Sequence, residues 1–215
     1  QPADIKSAGV LHFVSELRGD AYRPPAAEVL LRETHMSFVF LAGDLAYKLK
    51  KPVRFPYLDF SSLARREAAC RAELSLNRRL APDVYRSVVP LVRSAGGLAI
   101  AGDGEVVDWL VVMTRLDEAQ MLDRAIEEGR LRRWQLDRLA TVLVQFYRRA
   151  GAAFITPDAH IRDLWNSLAF NRRVLGDPRF GLPAGRVRFI DTVQRRFLNE
   201  RAGLLAARVR KRHII

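Results

Sequence analysis

From Met36 to Val53 the chain reads MSFVFLAGDLAYKLKKPV, two β-forming runs around Gly43-Asp44, the second loaded with lysine. That pattern predicts a hairpin with a type I′ or related turn. Upstream, residues 7–18 predict a short helix stopped by GDAYRPP, and AAEVLLRET after Pro25 fits either a helix or a strand. Downstream of the loop FPYLDF, residues Ser61 to Leu80 are rich in Ala, Arg, Glu and Leu and predict a helix ending at Ala81-Pro82, with Asp59, Ser61 or Ser62 as N-cap. YRSVVPLVRS and LAIAG predict a strand pair joined through Gly96-Gly97, and EVVDWLVVMTRL a further strand after Gly102-Asp103-Gly104.

From Leu122 the period turns helical. Leu136, Leu139, Leu143 and Tyr147 mark one stripe, and Ile161, Leu164 and Leu168, with Trp165 nearby, mark another. There is no internal repeat or low-complexity tract. The expected architecture is α+β: an antiparallel sheet with one helix over residues 1–116, an all-helical part over 117–215, and a cleft between two lobes.

Composition adds size and charge. At 215 residues and 49% hydrophobic, the chain can bury one core or two small lobes. No apolar run reaches the roughly 18 residues of a membrane span, and the N-terminus lacks a basic-then-apolar signal, so a cytoplasmic protein without membrane contact is expected. Cys70 stands alone, and His35, His160 and His213 have no zinc-like spacing, so a structural metal is not expected. The net charge of +12 favours anionic partners: nucleotides, nucleic acid or an acidic surface. From Arg186 to Ile215 nine basic residues face two acidic ones. Their plainest reading is the solvated side of a helix whose other side carries Phe189, Val193 and Phe197, with RVRKRH as a frayed end. A nucleic-acid surface is the alternative.

On the lysine strand, Ala46, Lys48 and Lys50 share one face and Tyr47, Leu49 and Lys51 the other. A small residue two positions before a lysine leaves room for a flat ring and then offers a cation to phosphate. Lysines on an edge strand also guard against aggregation, so the downstream helix matters. A phosphate-binding lysine must be held by a carboxylate, and both Glu67 and Glu73 border apolar stripes. Helical geometry does not choose between them, nor does the strand pattern choose between Lys48 and Lys50.

ETHMSFVFLAGDLAYKLKKPV, LDFSSLARREAACRAELSLNRRLAPDVY and a strand ending VVMTRL together resemble the N-terminal part of the aminoglycoside phosphotransferase-like proteins, a kinase-like family, and especially a bacterial group sometimes fused to a P-loop kinase domain. The likeness is good over Val29 to Leu116 and looser beyond; AELSLNRRLAPDVY is its most specific piece. It implies a protein-kinase-like two-lobed fold that binds ATP and Mg²⁺ and phosphorylates a small-molecule hydroxyl. It puts Lys48 in the place of the ATP-phosphate lysine and prefers Glu73 as its carboxylate. Met113 to Leu116, including Thr114 and Arg115, take the place of the hinge at the adenine edge, with Ala46 and Met113 packing on the ring. Glu33 to Ser37 replace a glycine-rich loop over the phosphates.

The family's His-Gly-Asp catalytic loop and metal-binding Asp are absent from the sequence. His160 to Asp163 reads HIRD, which fits a helix start better than a catalytic loop. In the resemblance that loop follows a helix like Phe189 to Arg212, so the chain is expected to stop short of it, to name no catalytic or metal-ligating residue of its own, and to be catalytically incomplete. The alternatives are a nucleotide-binding pseudokinase and a basic nucleic-acid-binding module.

Overall fold

The computed structural model describes residues 17, 19–22, 25–55 and 57–215. The helix expected over residues 7–18 falls almost wholly outside them. The protein is α+β. Eight strands are described: β1 Val29–Glu33, β2 Ser37–Ala42, β3 Leu45–Lys50, β4 Arg54–Phe55, β5 Leu58–Asp59, β6 Tyr85–Ser94, β7 Gly97–Ile100 and β8 Glu105–Thr114. Six of them form one antiparallel sheet in the order β1-β2-β3-β8-β6-β7, and β4-β5 is a separate small hairpin. The segment AAEVLLRET thus resolves to a strand. Helix α1, Leu63–Asn77, lies between β5 and β6 in the chain and packs on β8 and β6.

Period-two alternation builds the core. Phe38, Phe40, Tyr47, Leu49, Leu110, Val112 and Leu91 form one buried cluster, joined by Leu17, Ala21 and Tyr22 from the segment ahead of β1. Tyr22 meets Tyr47 edge-on with ring centroids 5.0 Å apart. Its burial pushes the phenol strongly up, so it stays neutral. The β2–β3 corner has positive φ at Gly43 (58°) and not at Asp44, the pattern of a type II′ turn, where I′ needs positive φ at both positions. Gly104 allows a close approach: a Cβ there would lie 2.6 Å from the Arg93 carbonyl oxygen.

The chain divides between Val142 and Leu143 into two compact units. The helices beyond the sheet are α2 Leu122–Glu127, α3 Arg133–Arg149, α4 Pro157–Leu175, α5 Ala184–Glu200 and α6 Ala202–Arg210. None of the described helices is long and apolar enough to cross a membrane. Helix α3 has no buried residue, and its stripe of Leu136, Leu139, Leu143 and Tyr147 is exposed.

In the second unit, α4 packs against α5 and α6. Asp191 of α5 is buried between Arg172 of α4 (3.3 Å) and Arg195 (2.9 Å), whose guanidinium lies over the Trp165 ring. The inward face of α5 is therefore Asp191, Arg195 and Leu198. Phe189, Val193 and Phe197, expected to face inward, are instead exposed, Phe189 by 69%. An ionic anchor, not the apolar stripe, orients this helix.

His160 to Asp163 lies in the first two turns of α4, where Thr156 caps the helix and Asp158 is the acid of the first turn. The end of α6 is closed rather than frayed. His213 N–H donates to the Arg208 carbonyl and Arg212 N–H to that of Val209, both at 2.9 Å, with Arg212 at φ 58°. This is a Schellman motif with arginine in the left-handed position usually given to glycine. Arg212→Gly removes that strain and is expected to stabilise the protein by about 1 kcal/mol in chemical denaturation.

Candidate functional site

Lys48 and Lys50 point to the same side of β3 because they are two residues apart, and α1 lies across that side. Both reach one carboxylate. Lys48 Nζ is 2.9 Å from Glu73 Oε1, and Lys50 Nζ is 2.5 Å from Oε2. Glu67 is engaged elsewhere, by Arg71 one turn along α1 at 2.8 Å. The choice left open by helix geometry thus falls to Glu73.

The two lysines differ in surroundings. The Lys48 side chain is 29% exposed and that of Lys50 6%. Lys50 also lies over the Phe60 ring at 4.9 Å. Burial alone would raise the Glu73 carboxyl, but hydrogen bonds and charge from Lys50 and Lys48 outweigh it and hold the group below its ordinary range. Cys70, one turn earlier on α1, is pushed up to about 11, chiefly by burial, and stays a thiol.

The register of α1 is fixed by polar bonds. Arg66 is buried, and its Nε donates to both Asp108 oxygens on β8, at 2.9 and 3.0 Å, while Nη1 donates to the Phe60 carbonyl at 3.1 Å. Asp108 is fully buried, which pushes its carboxyl up against the opposing pull of Arg66. Ser62 is the N-cap, accepting from Arg65 N–H. At the other end Arg78 donates to the carbonyls of Tyr85 and Arg86, and Asn77 Nδ2 donates to the Glu73 carbonyl at 2.8 Å. Arg66, Cys70, Glu73 and Asn77 are spaced to share one face, so polar side chains stand among those that α1 turns to the sheet.

The remaining candidate residues lie along β3 and its neighbours. Ala46 is paired directly with Met113 on β8, one alternate position before Lys48. At the end of β8 the Thr114 N–H donates to Val84 O and the Arg115 N–H to Asp44 O, each at 2.8 Å. The Thr114 hydroxyl donates to Asp83 O and accepts from Arg86. These two backbone donors are therefore already engaged. Ser37, opposite Lys50, is buried at the start of β2. Its N–H and carbonyl are bound by the Thr34 hydroxyl, which closes the Glu33–Ser37 turn on itself.

Sequence reasoning missed Arg66, Asp108, Arg78 and the role of Lys50. Asp108 had a signal: a lone carboxylate in the apolar run VVDWLVVM needs a buried cation. No group of three or more His, Cys, Asp and Glu side chains that could hold a metal occurs among the described residues. The arrangement can bind an anion at Lys48, through the exposed part of an ammonium group already held by a carboxylate.

Asp108→Ala strands a buried guanidinium and is expected to cost about 3–5 kcal/mol in chemical denaturation, whereas Glu67→Ala breaks an exposed pair and costs about 0.5 kcal/mol. Glu73 gives a pH signature. Its folded value is depressed, so its contribution to stability is fully present above the ordinary 4.5 and is lost as pH falls through the folded value. Thermal melts of Glu73→Gln across the acid range should fall less steeply with decreasing pH than those of the wild type.

No protein-family model matches this chain, and no solved structure matches it. Uncharacterized proteins of Mycobacterium bovis and of two strains of Mycobacterium tuberculosis are each 39% identical to it over 120 residues, 56% of this chain. That match spans 22% of the length of each of these relatives.

Proposed function

We propose that this chain is the nucleotide-binding part of a kinase-like phosphotransferase, similar to the aminoglycoside phosphotransferase-like proteins, in which Lys48 holds ATP phosphate and Glu73 holds Lys48. The observation that carries the reading is the Lys48–Glu73 pair, made between the third strand of the sheet and the helix that follows it. The surroundings support it. Ala46 and Met113 form a cross-strand pair beside Lys48, an apolar platform for a purine, and the lysine follows two residues later on the same face.

The residues present fit a triphosphate at Lys48: the ammonium is partly exposed and its partner Glu73 is held in its charged form. With the Thr114 and Arg115 N–H groups engaged, a base at this strand end would use the neighbouring carbonyls or the Leu116 N–H. The sequence has no His-Gly-Asp loop, the element that in the resembled family orients the acceptor hydroxyl. The whole protein would move the γ-phosphoryl group to a small-molecule hydroxyl, in a two-lobed kinase-like arrangement. The nucleic-acid reading is the second one; of the nine basic residues from Arg186 onward, Arg195 and Arg196 are paired with Asp191 and Glu200.

Thermal unfolding with and without ATP tests the proposal. ATP at about 100 times its dissociation constant should stabilise the wild type by about 2.7 kcal/mol and leave Lys48→Ala unmoved. An equal shift in both proteins, or none in the wild type, removes Lys48 from a phosphate site.

A further inference from the structure

Two lysines on one carboxylate is more than a single phosphate-binding cation requires, and their burial is unequal. Lys50 is 6% exposed, closer to Glu73 and stacked on Phe60, so it is poorly placed to meet a ligand. Lys48, at 29%, is the one that solvent reaches. Glu73 is itself only 13% exposed, and a carboxylate so enclosed is costly to leave without a counter-ion. The charged and titratable groups that meet it are Lys48 and Lys50 from β3 and Cys70 one turn back on its own helix; Asp108 of β8, with its partner Arg66, lies beyond on the far side of Cys70.

We infer that the two lysines divide the work: Lys50 is a positioning residue that keeps Glu73 compensated and in place, so that Lys48 can turn its charge to an anionic ligand without stranding a buried carboxylate. The inference rests on the nucleotide reading for the identity of the anion, but the division of labour also has a ligand-free signature. In the unliganded protein Lys50 is sealed and Lys48 is shared. Remove Lys50, and Glu73 has Lys48 as its remaining lysine partner, so Lys48 is held harder. An anion arriving at Lys48 then separates it from Glu73, and the stranded carboxylate takes up a proton.

The experiment has two arms. In the first, acetic anhydride labels lysines of the folded protein without ligand, and mass spectrometry follows each site. In the wild type Lys48 should acetylate faster than Lys50, and in Lys50→Met the Lys48 rate should fall by about threefold or more. In the second, calorimetric titration with ATP in buffers of different ionisation enthalpy counts protons. Lys50→Met should bind about tenfold more weakly than wild type and take up additional protons, and Lys50→Met/Glu73→Gln should lose that uptake, while Lys50→Arg should behave as wild type. An unchanged Lys48 labelling rate in folded Lys50→Met overturns the division of labour, whatever ATP does. A lower rate in a protein whose wild type does not bind ATP keeps it and discards the nucleotide. Affinity lost without extra proton uptake also overturns it, leaving Lys50 as a source of general positive field. Should Lys50→Met fail to fold, Glu73→Gln decides: it should raise labelling at both lysines, and an unmoved Lys50 counts against the proposal.

Discussion

A buried carboxylate with two ammonium groups on it ties the sheet to its helix. Glu73 sits where β3 and α1 meet, and neither element can move without separating charges that are largely removed from water. The alternation of β3 serves two ends at once. One side supplies Tyr47 and Leu49 to the apolar cluster, and the other presents Ala46, Lys48 and Lys50 to α1. A shift of one residue in register would exchange those sides, so the site and the core specify the same strand pairing.

The contact between α1 and the sheet is unusual in what it lacks. A helix laid on a sheet normally buries an apolar stripe, but here the two buried residues are Arg66 and Cys70, with Glu73 and Asn77 half-buried on the same face. Polar contacts of this kind gain little net stability over apolar ones of equal volume, because desolvation offsets much of the attraction. They are directional, however. The Arg66–Asp108 pair at one end, the two lysines near the middle and Arg78 at the far end together admit one axial position for the helix. The same preference for ionic orientation recurs in the second unit, where Asp191 joins α4 to α5.

How far the sequence was legible follows from this chemistry. The hairpin, the helix after it and the later strands were readable because alternation and helix-former content are local properties. The side chains that touch across elements were not. Glu67 and Glu73 have near-equivalent helical neighbours, and only the lie of α1 on the sheet separates them. Phe189, Val193 and Phe197 look like an inward stripe until Asp191 is seen to be bound from two sides. The RVRKRH run looks frayed because a left-handed arginine at Arg212 has no sequence signature. The Gly-Asp corner was legible as a turn, but its type depended on the φ of Asp44, which the residue pair leaves open.

Cys70 gives the site a consequence of another kind. It is the one cysteine in the sequence, fully buried beneath α1 beside the Trp109 carbonyl, and its thiol is far from ionising at neutral pH. Reaction with a thiol reagent therefore requires the helix to lift from β8, and the rate of that reaction is a clock for local opening. The molecule carries its own gauge of how often the carboxylate leaves its lysines, readable without an engineered residue and at a position that contacts no proposed ligand.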